Sequence, residues 1–182
     1  LGVRDTADIV GSCYYSIAAD RMAEVCMILG KNDRAAYYRE LKDHIDDAIV
    51  KAYVSSDGKV GNAMLQGLYV IMLKTGAVRN MTVRYRMISH LAGMIKENGY
   101  SLDCGFASVP FLLDVLYDNG YKEEAYRMLF CTKAPSWLYM IQNGATSIWE
   151  NWCAVKEDGT VTDSSYNHYA YGCVGDFMYR HI

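Results

Sequence analysis

Proline is nearly absent from this 182-residue sequence, at two positions, Pro110 and Pro135, so little in the chain interrupts long helices. No apolar run approaches the roughly 18 residues that would cross a bilayer. Neither sign of charge dominates, because 18 Lys and Arg stand against 21 Asp and Glu for a net charge of -3. A basic footprint for nucleic acid is therefore missing. The six cysteines form no CxxC pair, and none sits at zinc-like spacing from one of the four histidines. No metal or cofactor is called for. Most of these cysteines fall among apolar neighbours, where a reduced thiol behaves as a small hydrophobe. That favours free core thiols and a reducing, cytoplasmic compartment. Leu1-Gly2-Val3-Arg4-Asp5 lacks both a Met and a signal-peptide pattern, and reads as an internal cut.

What remains is apolar and aromatic. Hydrophobic residues make up 52% of the chain, enough for one domain with a sizeable core. There are 16 tyrosines, and the three tryptophans fall close together at Trp137, Trp149 and Trp152. A period near 3.6 predicts about seven helical segments and no strong strand. The first runs from near Asp5 to Leu29 and stops at Gly30. The second opens at Asn32 or Asp33, both good N-caps, and aligns Tyr38, Leu41, Ile45, Ala48 and Ile49.

Ser55-Ser56-Asp57-Gly58 reads as a turn. A third helix follows Asn62 and ends near Gly76, and a fourth stripes Val83, Met87, Ile88, Leu91, Met94 and Ile95. Asn98-Gly99-Tyr100 and Asn119-Gly120-Tyr121 both end helices, with Gly in the left-handed position. Between them Pro110 sits at a helix start behind Ser108 as a candidate cap. A sixth helix covers Tyr121 to Cys131. From Ser136 to Ser165 the helical period fades, and a last helix starts near Tyr166 or Asn167.

Short loops between helices of similar length predict antiparallel helical hairpins. Tyr69–Leu73 and Phe111–Tyr117 are apolar on more than one face and need cover on all sides. The expected fold is all-α, with hairpins forming an α/α toroid or an arc of one. Part of such a ring would leave apolar edges bare, which predicts self-association of the chain.

Chemistry concentrates in the aromatic loop. In Gly144-Ala-Thr-Ser-Ile-Trp-Glu-Asn-Trp152 a carboxylate stands between two indoles. Indole faces pack on the C–H faces of sugar rings, and partial burial disfavours the charged carboxylate, which suits acid or base work. The plain alternative is a hydrophobic plug with a capped or exposed Glu150. In Tyr166-Asn-His-Tyr-Ala-Tyr-Gly172, His168 at the last helix start could reach into a cavity and bond a sugar hydroxyl. Its alternative is a histidine satisfied by local backbone with Asn167 as cap. Asp5, Asp8, Asp43, Asp46 and Asp47 read as solvated or helix-supporting charges, while Asp103, ahead of an inner-type helix, is a candidate for the cavity.

These two segments, with Gly175-Asp176, Pro110–Leu116, Asn119-Gly-Tyr121 and Pro135-Ser-Trp-Leu-Tyr-Met140 in the same order, resemble the closing part of the α-L-rhamnosidase catalytic domain. The likeness is strongest from Tyr100 onward. It implies that residues 1–182 are the C-terminal part of a six-hairpin glycosidase domain, part of an (α/α)6 toroid without the N-terminal part of the barrel. It further implies inverting hydrolysis of terminal α-L-rhamnosides, with Glu150 as general base, His168 contacting the sugar, and Trp149 and Trp152 shaping the pocket. Asn151 replaces a common Arg and Cys153 a common Asp, which touches loop polarity and specificity. The family's general acid belongs to an acidic motif near the barrel start that this chain lacks, so the chain alone should be nearly inactive. The alternatives are another hydrolase or phosphorylase on an α/α toroid, or a non-catalytic carbohydrate-binding or helical interaction module. Nucleic-acid and membrane partners are not expected.

Overall fold

The computed structural model describes the backbone of residues 3–182 and the side chains of residues 6–182. The expectations resting on Leu1-Gly2 and on the Asp5 carboxylate lie outside those residues. Eight α-helices follow one another among the described residues. They are α1 (Val3–Ile28), α2 (Asn32–Tyr53), α3 (Gln66–Thr75), α4 (Met81–Glu97), α5 (Val109–Asp118), α6 (Lys122–Leu129), α7 (Trp137–Gln142) and α8 (Val174–His181). A 3₁₀ turn, Ala170–Cys173, leads into α8. The described residues contain no strand, only isolated bridges at Val54–Val60 and Val155–Val161. No described helix is long and apolar enough to cross a membrane. The chain divides into one unit through Met64 plus Leu68–His90 and another of Leu65–Gly67 plus Leu91–Ile182.

In the first unit α1 and α2 form a helical hairpin. Gly30 turns the chain at φ 68°, so Gly30 N–H bonds the Met27 carbonyl and Lys31 N–H that of Cys26. The residue before α2 is Lys31, with no side-chain cap, so neither Asn32 nor Asp33 caps the helix as anticipated. α1 buries Ile9, Cys13, Ser16, Ala19, Ala23 and Cys26. Its opposite side carries Tyr15, Ala18, Met22, Val25 and Leu29 exposed, spaced three and four apart, an unpartnered apolar seam.

Asp46 departs from the sequence reading. It is 2% exposed, paired with Lys42 at 2.5 Å and bonded by Ser16 Oγ, while Lys42 also donates to the Thr75 carbonyl at 2.9 Å. The α1 side chain buries a group that on α2 alone looks like surface charge. Asp43 and Asp47 are exposed as read, where Arg79 pairs with both. Tyr69–Leu73 of α3 are at most 2% exposed, the all-round enclosure their apolarity demands.

The second unit is built on α5. Pro110 sits in its first turn, where no intrahelical N–H is needed, but Ser108 supplies no side-chain cap. Leu112, Leu113, Val115 and Leu116 are buried. The two Asn-Gly-Tyr recurrences behave as expected. Gly99 and Gly120 have φ of 62° and 88°, and Tyr100 and Tyr121 N–H reach back to Ile95 and Leu116. α6 packs on α5 through Ala125, Met128 and Leu129. α8 is tied to α5 by Arg180, 2.6 Å from Asp114. α7 lies within the stretch expected to be irregular, capped by Ser136 Oγ accepting from Tyr139 N–H at 3.1 Å. The last helix begins later than expected, because Tyr166 to Tyr169 belong to the loop.

Candidate active site

Three elements of the second unit meet around the aromatic loop. Gln66, 1% exposed at the start of α3, donates to the Ser101 carbonyl at 3.3 Å and accepts from Asp103 N–H at 3.0 Å. A Cβ on Gly67 would stand 2.7 Å from Ser108 Oγ, so a side chain there would turn that hydroxyl away. The 101–108 segment is thereby held beside the loop, and Trp152 Nε1 donates to the Cys104 carbonyl at 3.2 Å.

The loop closes on itself through a few hydrogen bonds to its own backbone. Glu150 N–H donates to the Ser165 carbonyl at 2.9 Å, and His168 N–H to that of Ile148 at 2.8 Å. Ser147 Oγ adds a bond to the Tyr166 carbonyl at 2.6 Å. The two stretches singled out in the sequence, 18 positions apart at Glu150 and His168, therefore lie side by side. Trp149 turns inward at 4% exposure against Tyr166, while Glu150 is half-buried.

One oxygen of Glu150, Oε2, accepts from Ser165 N–H at 3.0 Å. The other makes no hydrogen bond, and no cation pairs with the carboxylate, among the described residues. The group is thus fixed at one end and open at the other. His168 is stacked between Phe106, at 4.9 Å and 13°, and Tyr169, at 5.1 Å and 13°. Its Nδ1 accepts from Ala170 N–H at 3.2 Å. An accepting Nδ1 assigns the neutral ring's proton to Nε2, which leaves a donor with no partner among the described residues.

An aromatic chain continues beneath. Phe106 meets Tyr171 at 5.0 Å, Tyr171 stacks on Trp152 at 3.6 Å, and Trp152 meets Trp137 edge-on at 5.3 Å. Trp152 is 8% exposed, so both loop indoles lie in the packed backing of the site rather than on its open surface. Phe106 stays open, at 44%, as does Tyr169 on the His168 ring, at 88%. Phe106 went unnoticed in the sequence, where Gly105-Phe106-Ala107 carries no motif and only its position ahead of α5 hints at a role. Asp103 is exposed, its N–H held by Gln66. Burial pushes the Cys104 thiol up to about 12 and the Cys173 thiol up to about 11, so both remain neutral. All six cysteines are free. Among the described residues no His, Cys, Asp and Glu cluster could hold a metal ion.

Solved structures share this arrangement of helices. The α-L-rhamnosidase of Streptomyces avermitilis, crystallised with L-rhamnose, superposes with a TM-score of 0.89 over 94% of the chain at 38% identity. The native Aspergillus terreus enzyme does so at 0.88 over 92%, with 27% identity. These matches cover 17% and 20% of those proteins. The fold class is that of a six-hairpin glycosidase domain, in agreement with the all-α hairpins expected. Among curated proteins, the α-L-rhamnosidases of S. avermitilis and Formosa agariphila are 39% and 32% identical over 96% of the chain. The chain spans 17% and 19% of their lengths. Residues 2–182 match the family described as the bacterial alpha-L-rhamnosidase 6 hairpin glycosidase domain, and the chain belongs to that family.

Proposed function

We propose that this chain forms the C-terminal part of a catalytic domain that hydrolyses terminal α-L-rhamnosides with inversion, Glu150 acting as general base. The supporting observation is the carboxylate anchored through Oε2 to Ser165 N–H with its second oxygen free. That free oxygen takes a proton from water while the water oxygen attacks the anomeric carbon. The glycosidic C–O bond breaks on the opposite face, and a second carboxyl group outside this chain protonates the departing oxygen. Inverting enzymes hold the two groups roughly 6.5–9.5 Å apart, leaving room for the water.

His168 contacts the sugar in this reading. Stacking holds its ring, and its Nε2–H is available to a sugar hydroxyl. Trp149 and Trp152 shape the pocket from behind by fixing the loop, and Phe106 offers an open aromatic face. The naming of the S. avermitilis and F. agariphila relatives as α-L-rhamnosidases, and the L-rhamnose complex of the former, support the substrate class.

The test is Glu150→Gln in the full-length protein carrying this chain, assayed on an aryl α-L-rhamnoside. Losing a positioned base lowers kcat by a factor of order 10²–10⁴. L-rhamnose binding is retained, and the first product of the unaltered enzyme is β-L-rhamnose by NMR. Turnover at the parent rate removes Glu150 from the role. Sugar binding without hydrolysis in the unaltered full-length protein leaves a carbohydrate-binding module instead.

A further inference from the structure

Tyr171 is 5% exposed, its ring held by two aromatic contacts and its backbone by a hydrogen bond. Its face stacks on Trp152 at 3.6 Å and 21°, its ring tilts against Phe106 at 5.0 Å, and its carbonyl accepts from Trp137 Nε1 at 2.8 Å. The hydroxyl behaves differently. It has no hydrogen-bond partner among the described residues, yet no buried side-chain oxygen or nitrogen there is left orphaned. The Oη atom therefore touches open space while the ring beneath it is sealed. Buried polar side chains are normally paired within the protein, and packing alone would be served as well by Phe.

Two neighbours say what that open space adjoins. Phe106 contacts both Tyr171 and His168, so the phenol and the imidazole belong to one aromatic wall. The Glu150 charge also reaches the phenol. Burial first, then Cys104, Cys173 and Glu150, push the Tyr171 hydroxyl up to about 12, so it stays a neutral O–H wherever enzymes work. A neutral phenol both donates and accepts, the complement of a sugar hydroxyl that does the same.

We propose that Tyr171 is a sugar-binding residue of this site, its hydroxyl bonding a ring hydroxyl of the terminal sugar beside Glu150. This rests on the glycosidase reading above and adds a specificity-determining contact to it. The ring arrives pre-oriented by its stacks, so forming the bond costs little further ordering.

The experiment is Tyr171→Phe in the full-length protein, which keeps the stacks and removes only the hydroxyl. KM for an aryl α-L-rhamnoside and Kd for L-rhamnose are expected to rise about tenfold, the size of one lost hydrogen bond. The thermal midpoint should be unchanged. A set of substrates with each ring hydroxyl removed in turn gives a second readout that does not depend on stability. One analogue that the parent discriminates against should lose no further affinity in the variant. Unchanged KM and Kd, or every discrimination retained, would overturn the assignment. Glu150→Gln is run in parallel to separate the two readings. Retained turnover there defeats the base assignment, whereas an inactive Glu150→Gln beside a Tyr171→Phe protein with unaltered binding defeats Tyr171 alone.

Discussion

Glu150 and Ser165 hold each other reciprocally: the Glu150 amide donates to the Ser165 carbonyl at 2.9 Å, and the Ser165 amide returns a bond to Glu150 Oε2 at 3.0 Å. One pair thus sets both the path of the loop and the direction of the carboxylate. A Gln side chain still offers an oxygen to Ser165, whereas Ala does not. Glu150→Gln is expected to leave the thermal midpoint nearly unchanged, and Glu150→Ala to lower stability by about 1 kcal/mol. Thermal unfolding of both variants reads the difference, and equal destabilisation would show that the bond does not anchor the loop.

Trp152 combines a large buried surface with one hydrogen bond, to the Cys104 carbonyl. Trp152→Phe keeps most of the stack on Tyr171 and should cost about 1–2 kcal/mol for the stranded carbonyl. Trp152→Ala also opens a cavity under Tyr171, and should cost about 3–5 kcal/mol. Denaturant unfolding measures both. A small, equal loss would mean the indole is not part of the packed backing.

The buried Asp46 makes Lys42 a structural cation. Lys42→Met leaves a carboxylate at 2% exposure without its counter-charge, and about 3 kcal/mol of stability should go with it. Asp43→Ala, which breaks an exposed pair with Arg79, should change stability by less than about 1 kcal/mol. Chemical denaturation of the two variants side by side checks the contrast.

The thiols of Cys104 and Cys173 have folded values near 12 and 11 against an ordinary 9.0. Burial disfavours their thiolates, so the folded state holds these protons more tightly than the unfolded one. Their contribution to stability is complete below pH 9 and is lost as pH rises from there through 11 and 12. Alkylation at pH 8 should be slow in the native protein and fast in guanidinium. Rapid native labelling of either residue would contradict the burial.

Tyr15, Met22, Val25 and Leu29 line the bare seam of α1, which is broader than the scattered apolar residues a surface usually shows. The isolated chain is expected to self-associate through it, and Met22→Glu with Val25→Lys to restore a monomer. Light scattering decides, since a monomeric parent chain at high concentration would show that the seam needs no partner.

Much of the helical frame could be read in advance because its signals are local. Glycines at helix ends, Pro110 in a first turn and the stripe on α4 each act within a few residues. The candidate site was half legible: Glu150 and His168 stand in motifs of unusual composition, so both drew attention. α7 was missed because six residues are too few to display a helical period. Asp46 was misjudged because Lys42, one turn away on the same helix, looks like its surface partner until Ser16 of α1 covers the pair.

By itself, then, the order of residues determined the all-helical class, most helix boundaries and the two segments on which the proposed chemistry rests. These depend on backbone sterics and on periodicities that neighbouring residues express together. Only the tertiary structure decided that Trp149 and Trp152 turn inward, that Phe106 joins His168 to Tyr171, and that one phenolic hydroxyl is left without a partner among the described residues. Those are contacts between residues up to 65 positions apart, from Phe106 to Tyr171, and burial, which sets which side chains of the loop are covered, exists only once the chain has folded.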